Sequence, residues 1–217
     1  MTVHLPTDFH LGARVETSDG KHVGSLHRLV IDRESWDLKE IVVKETEWFS
    51  GHLLAPGSGL LIDDVIVPLE AVASVTRDTV GLSAPASEVR RMAPYLIYGY
   101  APAQPGDTMR VIAAQTGFGG YWPYSETARK TTDELEINQG ENVMLGHTGK
   151  RLGRVRDVLY DGRELACVVI HPDGWRQSDV VLQVRFLERS DDLALFARLT
   201  ARDIEQMPPF LAGEAEK

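Results

Sequence analysis

The chain carries its own pattern twice, and that repetition limits the fold more than any other feature. Gly20-Lys21-His22-Val23-Gly24 returns as Gly149-Lys150-Arg151-Leu152-Gly153, an offset of 129 (149 − 20). Leu38, Ile41, Val42, Val43 and Trp48 return as Leu165, Val168, Val169, Ile170 and Trp175 at 127 (175 − 48). Asp64-Val65-Ile66-Val67 returns as Asp179-Val180-Val181-Leu182 at 115 (179 − 64), and Val89, Met92, Pro94 and Tyr95 return as Ile204, Met207, Pro209 and Phe210 at the same 115. The offset shrinks only twice, so the second half reads as the first with two deletions. A repeat this long is a duplicated domain rather than a solenoid period.

Within each half the spacing predicts short strands. Val15-Glu16-Thr17 alternates, and Asp19-Gly20 then marks a hairpin before a strand from His22 to Asp32. A turn at Arg33–Asp37, a β-branched strand at Leu38–Lys44, another at Asp63–Leu69 and a hairpin over Ala73–Ser83 follow. Ser87 as N-cap and Pro94 as stop predict a short helix over Glu88–Met92. The second half predicts strands over Glu141–Leu145, Gly153–Tyr160, Leu165–Ile170, Trp175–Val184 and Leu193–Leu199. Its helix, Ala201–Met207, takes Thr200 as cap and stops at Pro208-Pro209. With no crossover helices, each half is expected to be a small antiparallel sheet that curls into a barrel to hide its edges. Domains are therefore expected over 5–94 and 137–212. The connector at 95–136 reads as coil over Ala101–Gly106 and Thr116–Tyr124, yet holds five of the six tyrosines and is expected to be partly ordered.

These residues resemble the PRC-barrel family. Its pattern is an Asp-Gly-Lys-x-x-Gly turn, a strand ending in Asp, a β-branched strand, then a strand with Pro-Leu and a hairpin. The first half has Asp19-Gly20-Lys21-His22-Val23-Gly24, Asp32, Ile41-Val42-Val43 and Val67-Pro68-Leu69. The second has Gly149-Lys150-Arg151-Leu152-Gly153, Asp161 and Val168-Val169-Ile170, with Thr148 and Gln183 where the turn Asp and the Pro would stand. The resemblance implies a docking role, as in the reaction-centre H subunit's cytoplasmic domain and the barrel of the ribosome maturation factor RimM.

The chemistry-bearing residues argue against catalysis. His22 and His27 lie on one predicted strand at odd spacing, and His4, His10, His52, His147 and His171 fall in termini or turns, with no metal-ligand spacing. Asp63-Asp64, Asp157 with Asp161, and Asp191-Asp192 read as solvated turns and strand edges. Cys167 sits in an apolar run and reads as a buried strand thiol. No catalytic residue, metal or cofactor is expected. Lys150, Arg151, Arg154 and Arg156 form the one basic cluster, expected to be balanced by Asp157 and Asp161. Both halves are net acidic within a total of −9, which disfavours a phosphate-backbone partner.

The function expected is a non-enzymatic protein-docking module with an unidentified protein partner. Self-association as a homodimer and an RNA- or ribosome-associated role, as the RimM resemblance implies, stay open as alternatives. Candidate contact residues are Tyr98, Tyr100, Phe118, Tyr121, Trp122 and Tyr124 of the connector, since aromatics dominate interface anchors, together with the four cations. No stretch reaches the ~18 apolar residues of a membrane span, and Met1–Phe9 lacks a leader pattern, so a cytoplasmic location is expected.

Overall fold

In the first half an eleven-residue strand, β2 (His22–Asp32), is the spine. Its lower part pairs antiparallel with β1 (Arg14–Glu16) across the turn at Gly20, whose φ of 73° is the left-handed conformation glycine adopts without strain. From Gly24 to Ile31 it pairs with β3 (Leu38–Glu45), which pairs in turn with β4 (Asp64–Pro68). On the other side β1 meets β6 (Thr79–Leu82), which pairs with β5 (Val72–Val75). The computed structural model describes residues 9–46, 64–100, 124–129, 131, 133–161, 164–173, 178–190, 194–199, 203 and 206–210.

The second half follows the same plan. β10 (Asn142–Leu145), β11 (Lys150–Asp161), β12 (Glu164–Pro172), β13 (Val180–Gln183), β14 (Leu187–Ser190) and β15 (Ala194–Ala197) take the order β13-β12-β11-β10-β15-β14, as β4-β3-β2-β1-β6-β5 does in the first. The irregularities coincide too. β2 bulges between Leu26 and Arg28 and β11 between Val155 and Asp157, each the same distance after Gly24 or Gly153. The protein is mainly β, with two barrel-like sheets. The antiparallel expectation holds in every ladder of these sheets except one in each: β1 with β6 and β10 with β15 run parallel.

Three segments differ from the sequence reading. The first helix, α1, spans Ala86–Val89 with Pro85 at the N-cap, so Ser87 lies inside it; the capping acceptor is Asp19 Oδ1, 2.9 Å from the Ala86 N–H. β14 has no counterpart among the predicted strands, because its charged residues interrupt the apolar alternation. The described ends of the connector are strands: β7 (Leu96–Tyr100) and β8 (Tyr124–Ala128) pair antiparallel, and β9 (Glu134–Asn138) lies along β2 of the first sheet, while 101–106 and 116–123, read as coil, lie outside the described residues. A boundary between residues 136 and 137 therefore falls inside β9. Of the second expected helix, Asp203 and Gln206 are helical; Thr200 and most of the rest lie outside the described residues.

One apolar core runs through both halves, from Val15, Leu26 and Ile41 to Val143, Val155, Val168 and Leu195. A smaller cluster lies on the outer face of the first sheet, where Tyr95 covers Val30 and Val42, with Leu96 and Ala128 packed beside it. No helix among the described residues is long and apolar enough to cross a membrane.

Gly24 and Gly153 fix the strand crossings. A Cβ on Gly24 would stand 1.9 Å from the Lys44 carbonyl oxygen, and one on Gly153 2.2 Å from that of His171. Neither backbone can yield without breaking its ladder. Gly24→Ala is expected to cost about 2 kcal/mol through overpacking, more than Gly20→Ala, where a Cβ meets nothing within 4 Å. Urea denaturation of the two variants checks the order.

Candidate functional site

β2 brings charge to a place where water is scarce. Its outer face carries Arg28, opposite Asn138 of β9, and Val30, opposite Glu136. β4 begins with Asp64 and the chain returns at Tyr95, whose N–H donates to the Asp64 carbonyl at 2.6 Å. Glu136 and Tyr95 are fully buried and Asp64 nearly so. An isolated carboxylate there would cost several kcal/mol, and Arg28 relieves two at once. Its Nε donates to Asp64 Oδ2 at 3.0 Å and its Nη1 to Glu136 Oε1 at 3.3 Å. The Tyr95 hydroxyl donates to Glu136 Oε2, and Asn138 Nδ2 donates to Oε1 at 3.1 Å. The Arg28 guanidinium also lies 5.2 Å from the Tyr95 ring centroid. Burial alone would lower the Arg28 pKa; Asp64 and Glu136 outweigh it and raise it.

His27, in the bulge, places Nε2 4.0 Å from Asp64 Oδ2. Burial pushes its pKa below the ordinary 6.5; Asp64 opposes the fall, and Arg28 and Lys44 add to it. This clasp locks the base of the β7–β8 hairpin and β9 to the first sheet. The Glu136 N–H, in turn, donates to Ser190 Oγ of β14 at 3.1 Å, so β9 bridges the two sheets.

On the other side of the molecule the geometry recurs with its charge reversed. Asp157 stands four residues after Gly153, as Arg28 stands four after Gly24. It accepts from His10 Nδ1 at 2.8 Å, from the Leu11 N–H at 3.0 Å and from the Val158 N–H at 2.9 Å. Phe9 meets Tyr160 edge to face. His10, Asp157, Gln139, Arg77 and Asp78 line a polar cleft of about 270 Å³ between the halves.

The candidate contact residues fall into two groups by place. Tyr98 and Tyr100 lie in β7, opposite Glu126 and Tyr124 of β8; Phe118, Tyr121 and Trp122 fall outside the described residues. Lys150, Arg151, Arg154 and Arg156 all lie on β11, exposed. Arg151 pairs with Asp173, and Arg156 Nε lies 3.8 Å from Asp179. The balancing acids are thus these two and not Asp157, which holds the seam. Cys167 is half-buried and burial raises its pKa, away from a reactive thiolate. Among the described residues no three His, Cys, Asp or Glu side chains come together as metal ligands would.

Arg28, Asp64, Tyr95, Glu136, His10 and Asp157 are not singled out by sequence reasoning as site residues. One signal does mark two of them: Glu136 between Leu135 and Ile137, and Arg28 between Leu26 and Leu29, are charges inside apolar runs.

The fold and site define a small barrel-like β-module with a buried network of paired charges. Residues 11–89, from the approach to β1 to the end of α1, match the PRC-barrel domain family. The match covers β1 to β6 and α1, and neither β9 nor the second sheet. No curated protein matches the chain.

Two outcomes test the clasp. Arg28→Met leaves Asp64 and Glu136 buried without their cation and is expected to cost about 3 kcal/mol or more, read as a fall in the urea midpoint. For His27, a folded pKa below the unfolded one means the unfolded chain binds the proton more readily. Its contribution is present above about pH 6.5 and is lost as the pH falls below that value. His27→Gln should flatten the acid-side decline in stability between about pH 6.5 and 5, measured as urea midpoint against pH.

Proposed function

We propose that the chain is a non-enzymatic docking module of the cytoplasm, built from two PRC-barrel-like units of duplicated origin, whose contact surface is the β7–β8 hairpin. The observation that carries this reading is the clasp. Tyr95, Glu136 and Arg28 hold the two ends of the connector against a β-sheet, so the tyrosine-bearing strands rise from a fixed base. A rigid stem lowers the ordering cost that a free linker would incur on binding. Tyrosine and tryptophan supply large contact area with few rotatable bonds. The polar groups that could have served catalysis are engaged in structure: Arg28 with two carboxylates, Asp157 with three donors.

The alternative, an RNA- or ribosome-associated role, would have to use the β11 cations. Arg151 and Arg156 are already matched by Asp173 and Asp179, which leaves this reading less support.

The test compares the wild-type chain with Tyr98→Ser/Tyr100→Ser/Tyr124→Ser, both used as bait in the native cytoplasm with cross-linking. A protein partner retained by the wild type and depleted ~10-fold by the variant, about 1.4 kcal/mol of binding, is the expected outcome. Equal retention by both removes the hairpin as the surface. Salt-sensitive binding to ribosomal RNA that Lys150→Ala/Arg154→Ala abolishes would establish the alternative instead.

A further inference from the structure

The two halves meet along a seam that has the plan of a two-fold interface. Gly12 and Gly140 take left-handed φ values of 88° and 77°. The Gly12 N–H donates to the Leu26 carbonyl at 2.7 Å and Leu26 N–H to that of Ala13 at 2.8 Å. The Gly140 N–H donates to the Val155 carbonyl at 2.8 Å and Val155 N–H to that of Glu141 at 2.9 Å. Leu26 and Val155 are each the second residue after the crossing glycine, so the two pairs occupy the same position in the two halves. Upstream of each glycine, the chain departs from its own half and lies on the other. β9, which leads into the second sheet, pairs with β2 of the first over five residues. His10 and Leu11, which lead into the first sheet, bind Asp157 on β11 of the second. At the centre, Gln139 and Leu11, each the residue before its glycine, face one another; Gln139 Nε2 donates to the Leu11 carbonyl at 3.4 Å.

The charges at this seam are complementary only in the observed pairing. The β2 site presents Arg28 to the Asn138 and Glu136 of β9. The β11 site presents Asp157 to His10. Were the lead-in strands interchanged, Glu136 would approach Asp157 and His10 would approach Arg28. The first would set two carboxylates together in partly buried surroundings, and the second would leave Arg28 without the carboxylate it holds.

We propose that this seam is a protein–protein interface in its own right, keyed by opposite charges, in which each half is the binding partner of the other and the connecting peptide is not required for the association. The inference is independent of what the hairpin docks to.

The experiment begins with the full chain carrying a specific protease site between residues 106 and 107, cut after folding. The two pieces are expected to elute together at the mass of the intact chain at micromolar concentration. On dilution, Asp157→Arg should raise the dissociation constant ~10-fold or more, and His10→Glu added to Asp157→Arg should recover most of that loss. His10→Ala, which leaves both main-chain bonds to Asp157 available, should act in the same direction with a smaller change. The variants are compared by circular dichroism before cutting; if Asp157→Arg alone fails to fold, His10→Ala and the double variant carry the test. Separation of the wild-type pieces in native buffer overturns the proposal. So does a double variant no tighter than Asp157→Arg, or an unfolded double variant, or a His10→Ala chain that dissociates as the wild type does.

Discussion

A strand of eleven residues cannot be satisfied by a neighbour of three. β1 pairs with β2 only over His22–Ser25. Beyond the bulge, the N–H and C=O groups from Arg28 to Asp32 need partners on that side, because an unmatched buried backbone group costs about as much as a lost hydrogen bond. The chain supplies them from β9, a segment that belongs in sequence to the approach to the second sheet. From this one requirement follow the bridge to β14, the continuous core through both halves and the position of the hairpin that precedes β9. The two sheets are separate ladders that share one core.

Putting β9 there brings Glu136 into the interior, where a carboxylate is expensive. The sheet answers with a cation at the one outward position of β2 within reach of both Glu136 and Asp64. The Tyr95 hydroxyl and the Asn138 amide complete the shell of the carboxylate. Such a cluster contributes little net stability over an apolar replacement, but losing one member is costly. Its effect is specificity: only one register of β9 and one seating of Tyr95 place every partner. The polar groups therefore define where the connector goes, while Val30, Val42, Leu96 and Ala128 supply the burial.

Much of the strand pattern is legible in the sequence because it is local. Asp19-Gly20, the β-branched run Ile41–Val43 and the matching Val168–Ile170 announce their conformation within a few residues, and the recurrence of the strand order in the second half gives the pattern twice. β14 is not legible, since Leu187-Glu188-Arg189-Ser190 has one buried residue and no alternation to read. The connector reads as coil for a different reason. Glycine and proline between Ala101 and Pro123 mask the fact that its two ends, Leu96–Tyr100 and Tyr124–Ala128, are complementary strands. Pairing across more than twenty intervening residues leaves no local trace. The clasp and the seam are invisible on the same ground: Arg28 and Glu136, or His10 and Asp157, meet only because the topology carries them together. The basic residues do lie where the sequence places them, on one strand, but their counter-ions are Asp173 and Asp179 rather than the nearby carboxylates that spacing suggests.

The exchange of lead-in segments also sets how the molecule transmits mechanical load. Phe9, His10 and Leu11 make contacts with Tyr160 and Asp157 of the far half, and Phe9 and Leu11 also pack in the shared core. Tension applied through a tether ahead of Phe9 is therefore shared from the start with β11 in the far half, so that a pull on one end loads both sheets.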